Sequence, residues 1–203
     1  MSETLSISRK EQIMQTSAKM FKQKGYASTS MRDIATEMGI EAASLYHHIK
    51  SKEEILETIC FSLADKLIMG IAEVNDIYFN AEEKLRMAIK NHVQIISENI
   101  DQSAAFLHEW RSLSEPKLSE FKTLRDSYEN EFKVILNDGV NEDIFDDVDQ
   151  KFATLTILST VNWINEWYNP NGKMNAEEIA KKLSDFILGG LRKKLVTDIN
   201  YKP

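Results

Sequence analysis

A few groups of side chains in this chain have the types and spacing for chemistry at an atom. They are the pair His47 and His48, the dipeptide His108-Glu109, the acids Glu142, Asp143, Asp146, Asp147 and Asp149, and the lone thiol Cys60. None of them builds a centre. A His-Glu-x-x-His zinc site needs a second imidazole at position 112, where Ser112 stands. The Glu-x-x-His of a di-iron bundle is absent, because Ser44, Leu45, Ile89 and Ala105 stand three residues before the four histidines. The acids at 142–149 lack the spacing and central glycine of a calcium loop. They read as a loop running into a helix start, where negative charge is favoured. His47 and His48 do not share a helix face, and no Cys or third His lies near them. Cys60 reads as a small packing residue. No catalytic residue, metal or cofactor is expected, and the chain is not read as an enzyme.

What remains is recognition. Residues 29–53 read as two short helices around one glycine, then the start of a third. Ser30 can cap the first helix, with Asp33 three residues on as its reciprocal partner. Ile34, Ala35 and Met38 supply its apolar positions. Gly39 lies past its last turn, where a left-handed backbone is wanted. The second helix is predicted over 42–48, with Leu45 and Ile49 inward and Ala43 small enough for close approach. This is a helix-turn-helix, whose second helix enters the major groove of DNA. Ala42, Ala43 and Ser44 let that helix seat against base edges. Glu41 either accepts from a cytosine amino group or caps the helix. His47 meets a base or a phosphate. Thr29 and Ser30, at a helix start, can bind a phosphate. Lys52 reads as a second phosphate anchor, and Lys50 as general positive charge.

The chain of 203 residues carries a net charge of −7, which looks wrong for a DNA-binding protein. The distribution resolves this. Residues 1–52 hold eight Lys/Arg against five acids, a net +3, while the remainder holds 17 against 27, a net −10. A basic head on an acidic body suits DNA binding by the head alone. With 7 Gly and 3 Pro, helices dominate. One cysteine excludes an internal disulfide. The polar N-terminus lacks a signal sequence and no stretch is apolar enough for a membrane span, so the expected compartment is the cytoplasm.

Residues 29–56 (TSMRDIATEMGIEAASLYHHIKSKEEIL), with Ile13, Met14, Ala18, Phe21, Gly25 and Tyr26 before them, resemble the DNA-binding domain of the tetracycline-repressor (TetR) family. Leu45-Tyr46-His47-His48 followed by Lys50-Ser51-Lys52-Glu53 makes the likeness specific. The resemblance implies that Tyr46 is the family's phosphate-contacting tyrosine. It also implies that the helix starting at Lys52 joins the head to a ligand-binding body. Glu41 departs from the family, which has a small neutral residue at that place.

The first helix is predicted over 9–23, with Ile13, Met14, Ala18 and Phe21 as its core stripe. Residues 1–7 read as a short arm. Body helices are predicted over 52–74, 81–99, 103–112, 117–137, 148–167 and 176–195, with 196–203 a frayed tail. Asp138-Gly139 reads as a helix-ending turn, and residues 169–172 as a turn between the last two helices. Those two helices are apolar over wide faces, more than one side of a monomer needs. Gly189-Gly190 within the last suggests close helix approach. Leu183, Phe186, Ile187 and Gly190 are the candidate dimer residues, since the last two helices of the family form a four-helix interface between copies. Trp163 and Trp167 share one face, Asn162 is polar beside them, and Trp110-Arg111 is a second aromatic–cation pair. These five are candidate ligand contacts, weighed against core or dimer packing. Segments 106–113, 124–132 and 161–183 resemble a subgroup of the family that responds to acyl-coenzyme A thioesters.

The fold class expected is all-α: a three-helix helix-turn-helix domain at 1–52, and a helical domain at 53–203 for ligand binding and dimerisation. The expected function is a ligand-responsive regulator, most often a repressor in this family. It would bind a palindromic double-stranded DNA operator as a homodimer and be released by a hydrophobic small molecule, with acyl-coenzyme A a candidate. The alternative is a helical-bundle enzyme or lipid carrier with a basic end.

Overall fold

The computed structural model describes residues 7–193. Regular structure among them is helical apart from an isolated antiparallel bridge between Phe145 and Arg192. The helices are α1 (Arg9–Lys24), α2 (Met31–Glu37), α3 (Ala42–His48), α4 (Lys52–Asp76), α5 (Ala81–Glu98), α6 (Ile100–Ala104), α7 (Lys117–Asn141), α8 (Gln150–Asn162), α9 (Ile164–Trp167) and α10 (Ala176–Leu191). Between α6 and α7 lie a π-helical turn, Ala105–Glu109, and a 3-10 turn, Trp110–Ser112. None of the described helices is long and apolar enough to cross a membrane. The tail expected at 196–203 lies outside the described residues, as does all but Ile7 of the arm at 1–7.

The chain divides into two compact units, one running to Ile68 and including Ile95–Asp126, the other Met69–Gln94 with the chain from Ser127 on. In the first unit, Ser8 caps α1 by accepting from the Glu11 amide, and Gly25 at φ 83° ends it. Ile13, Met14, Ala18 and Phe21 are all buried, as their spacing predicts. Ile55, Leu56, Ile59, Leu63 and Leu67 form the buried stripe of α4 here. Phe121 is the aromatic centre of this unit, 5.8 Å from Phe61, 5.5 Å from Phe106 and 5.9 Å from Trp110. Each such pair contributes about 0.5–1.5 kcal/mol beyond its buried area.

In the second unit, Leu85, Ile89 and Val93 of α5 are fully buried, as are Phe132, Ile135 and Leu136 of α7. A polar strand runs through this core. His92 is 1 % exposed, with Nδ1 2.9 Å from the Tyr128 hydroxyl and Nε2 3.0 Å from Asn162 Oδ1. On the surface, Arg192 and Arg86 both bind Glu82, and Arg86 also binds Asp185. The Arg192 hydrogen bond is the main cause holding the Glu82 carboxyl below its usual range.

Four predicted boundaries are corrected. The helix expected over 103–112 starts at Ile100 and changes to π and then 3-10 geometry. Helix α7 does not end at Asp138-Gly139 but continues to Asn141. A Cβ on Gly139 would lie 2.0 Å from Phe145 Cδ2, so the glycine serves close approach rather than a turn. The helix expected over 148–167 breaks at Trp163 into α8 and α9. Helix α10 ends at Leu191 rather than 195, because Arg192 turns extended and pairs with the loop: Asp146 N donates to Leu191 O, and Lys193 N donates to Ile144 O. The acids of that loop are likewise structural: Glu142 accepts from the Ala81 amide, Asp149 caps α8, and Asp143 pairs with Lys193.

Burial pushes His92 from 6.5 down to about 4. The unfolded chain therefore takes up this proton at a higher pH than the folded one. The stability held by neutral His92 is complete above pH 6.5 and is lost as the pH falls toward 4. Urea denaturation at pH 7 and pH 5 should differ by about 2 kcal/mol from this group alone. His92→Gln should flatten that difference; an unchanged pH dependence in the variant would assign it to other groups.

Candidate functional site

Helix α2 opens with the capping box that the Ser30–Asp33 spacing predicts. The Ser30 hydroxyl accepts from Asp33 N at 3.2 Å, and Asp33 Oδ2 accepts from Ser30 N at 2.8 Å. The Ser30 hydroxyl also donates to Asp33 Oδ2 at 2.6 Å, which holds the Asp33 carboxyl below its usual range. Gly39 takes φ 65° between α2 and α3, a conformation cheap only for glycine. Leu45 and Ile49 are 0 % and 1 % exposed, so α3 sits with its apolar side inward. Ala43, Ser44, Tyr46 and His47 are then exposed, and Ala42 is half-buried. Glu41 occupies the cap position of α3 but makes no capping hydrogen bond. Its carboxylate is exposed at the leading end of that helix.

Beside α3, residues 27–32 with Tyr46 and Lys52 line an open depression of about 550 Å³. The predicted phosphate residues meet here, but not all in the same role. Tyr46 is 52 % exposed and presents its ring to the depression. Thr29 is buried, and its hydroxyl donates to Gly25 O at 2.9 Å, so it holds the turn together. The Ser30 hydroxyl is engaged in the capping box. Lys52 Nζ donates to Tyr26 O at 2.7 Å and lies 4.3 Å from the Tyr26 ring centroid. That ammonium positions the turn as well as contributing charge.

Tyr26 itself is a junction. Its amide donates to Glu109 Oε1 at 3.1 Å, and its ring stacks edge-on against Phe21 at 5.1 Å. Burial, then the charges of Glu53 and Glu109, raise its phenol above the usual range. Lys22 pairs with Asp101 at 3.1 Å, Glu53 accepts from Ser114 N at 3.0 Å, and Lys117 pairs with Glu57 at 3.7 Å. These ties between α1 or α4 and the chain at 101–117 escaped sequence reasoning, which has no rule for pairs so far apart.

The candidate ligand residues fall into two groups, one in each unit. Trp110 is 8 % exposed, and its ring is occupied by Phe121 and by the guanidiniums of Arg111 at 4.4 Å and Arg125 at 4.6 Å. Trp163 and Trp167, in the second unit, are 64 % and 44 % exposed. Asn162 is half-buried, and its partner is His92, a residue the sequence reading did not single out. Among the candidate dimer residues, Phe186 is 81 % exposed, Leu183 is half-buried, and Ile187 is buried in its own unit. A Cβ on Gly189 or Gly190 would meet nothing within 4 Å, so neither glycine serves a close approach within the chain. On α8, Phe152 and Leu155 are also exposed, extending the row to Trp163 at helical spacing. No cluster of metal-ligating side chains occurs among the described residues. The Cys60 thiol is buried and pushed up to about 12.

Two family profiles match. That described as "Bacterial regulatory proteins, tetR family" covers residues 13–59, and "Tetracyclin repressor-like, C-terminal domain" covers residues 79–191. The chain is 30 % identical to the HTH-type transcriptional repressor KstR2 of Mycolicibacterium smegmatis over 187 residues, 91 % of each chain. The structure of the ketosteroid transcriptional regulator KstR2 of Mycobacterium tuberculosis superposes with a TM-score of 0.87 at 28 % identity, over 92 % of this chain and 96 % of that one. The TetR family transcriptional regulator PfmR of Thermus thermophilus gives 0.80 at 35 % identity, over 89 % and 99 %.

The capping box sets where α2 begins. Ser30→Ala removes the acceptor for the Asp33 amide and should cost about 1 kcal/mol of stability. Thermal denaturation reads this directly; an unchanged melting temperature would show that water replaces the cap without loss.

Proposed function

The chain belongs to the TetR family, and from that premise we propose that residues 1–52 bind a palindromic operator while residues 53–203 dimerise and bind a hydrophobic effector. The family is one of DNA-binding transcriptional regulators, which sets aside the enzyme and lipid-carrier alternative. Repression is the simplest action, as in the relatives named repressors.

The observation that carries the DNA reading is the outward surface of α3 beside the Tyr46–Lys52 depression. Ala42, Ala43, Ser44 and His47 supply small and polar contacts for base edges, and exposed Glu41 suits a cytosine amino group. Tyr46 and Lys52 meet phosphates on either side, with Thr29 and Ser30 shaping the turn between them. Two such heads must reach half-sites about 34–36 Å apart or more, so a dimer has to hold their spacing. Exposed Phe152, Leu155, Phe186 and the bare Gly189-Gly190 surface support α8 and α10 as the contact between copies.

For the effector, exposed Trp163 and Trp167 beside Asn162 support an apolar ligand with a polar group. The resemblance of residues 103–191 to acyl-coenzyme A responders suggests a long or polycyclic acyl chain, and the ketosteroid regulator among the relatives fits that class. An effector releases DNA only by binding the DNA-incompetent state more tightly, and operator binding must then weaken effector binding by the same factor. The Glu109–Tyr26–Lys52 chain of hydrogen bonds is a route by which a shift in the π-turn or at the start of α4 would reach the head.

Operator fragments recovered from genomic DNA test the reading. Tyr46→Phe should weaken binding to every sequence and leave the melting temperature alone. Lys52→Ala should lower both, and should reduce the salt slope by about 1 per protomer. A protein with no operator preference at all would sink the proposal. For assembly, Phe186→Asp should cost the fold little, because the side chain is exposed. It should sediment as a monomer with poor operator affinity. A Phe186→Asp variant that remains a dimer and binds normally moves the interface elsewhere.

A further inference from the structure

Asn162 ends α8, one residue before the break at Trp163. A free amide side chain presents donor and acceptor alike, but this one is fixed at one end. Its Oδ1 accepts from His92 Nε2 at 3.0 Å, and His92 Nδ1 meets the Tyr128 hydroxyl at 2.9 Å. His92 is buried and neutral, so its ring carries one N–H. Donation from Nε2 to Asn162 leaves Nδ1 as an acceptor, which the Tyr128 O–H fills. The relay therefore has one direction, Tyr128 to His92 to Asn162. Turning the amide over would demand the other tautomer, with Nδ1–H facing the Tyr128 oxygen, and the Tyr128 O–H would lose the acceptor it has here. The Nδ2 group of half-buried Asn162 is directed away from the ring, and its two protons are donors only. Trp163 follows directly in the chain and Trp167 one helical turn later, both with exposed indoles.

We propose that Asn162 is the hydrogen-bond donor to a carbonyl oxygen of the effector, with His92 and Tyr128 as positioning residues that hold its amide in the donating orientation. The inference rests on the effector reading above and deepens it. The ligand class is an apolar skeleton, carried by the indoles, that bears a ketone, ester or thioester oxygen. A donor-only end discriminates against compounds that offer no acceptor there, because ligand binding would strip the amide of water without replacing its bond.

The test compares two probe series of increasing chain length: acyl-coenzyme A thioesters, and S-alkyl-coenzyme A thioethers that lack only the carbonyl oxygen. Binding is read by calorimetry and by release of the wild-type protein from operator DNA. The thioester should bind about five- to tenfold more tightly than the matching thioether. In Asn162→Ala that ratio should fall to about one, partly because the thioether, which no longer strips an unpaired amide of water, binds no more weakly than to the wild type. His92→Gln and Tyr128→Phe should lower the ratio while leaving thioether affinity in place, whereas a merely structural role would weaken both series together. Equal binding of the two series by the wild type overturns the proposal without any variant being needed. A ratio that survives Asn162→Ala also overturns it, and leaves the effector reading standing. If neither series binds while the operator does, the acyl effector reading fails and takes this inference with it.

Discussion

The peptide of Tyr26 is held at both ends by side chains from outside its own turn. Its carbonyl accepts from Lys52 and its amide donates to Glu109. The turn it belongs to starts at a left-handed glycine and ends at the cap of α2, and Thr29 closes it from within through Gly25 O and Tyr26 O. Both bonds anchor one wall of the depression between residues 27–32, Tyr46 and Lys52. Half-buried polar groups released from such bonds cost about 1–3 kcal/mol each if left unpaired. The lysine whose charge lines the depression beside α3 is thus also a clamp on its turn. Losing Lys52 changes geometry and electrostatics together.

Around this clamp the first unit uses contacts of unequal strength. Phe121 with its three aromatic neighbours supplies cohesion that water does not compete for. The ion pairs Lys22–Asp101 and Lys117–Glu57 are exposed, and pairs of that kind are individually worth little. They set register more than stability. Contacts that fix position at small cost in energy can be exchanged for others without unfolding the unit, which is what a regulated element requires.

The head was legible because its determinants are local. Ser30 and Asp33 are three residues apart, Gly39 follows the last turn of α2, and Leu45 and Ile49 are one helical turn apart. Each acts through its own segment, so spacing was enough. The body was legible as helices but not as joints. Gly139 reads as a turn from its neighbours, and only the approach of Phe145 explains why it lies inside a helix. The end of α10 depends on the Phe145–Arg192 bridge, between residues far apart in the chain. His92 carries no signature on an amphipathic helix, since its partners are 36 and 70 positions away. Trp110 beside Arg111 suits ligand binding or packing alike from sequence, and only the fold brings Phe121 and Arg125 of α7 onto its ring. The position of Glu41 at a helix start suits capping and base reading alike; in the structure it does not cap.

Cys60 has a quieter consequence. It is the single cysteine of the chain, fully buried on α4, with its thiol held protonated far above neutral pH. Maleimides and methanethiosulfonates need an accessible thiolate, and they find none on the described surface. The native protein is already a thiol-free background for labelling. A cysteine placed at an exposed position such as Ser44 or His47 would be the sole reactive handle on each copy. Pulsed electron resonance between two such labels would measure directly how far apart the α3 helices of two copies stand in whatever assembly they form, with no native residue first removed.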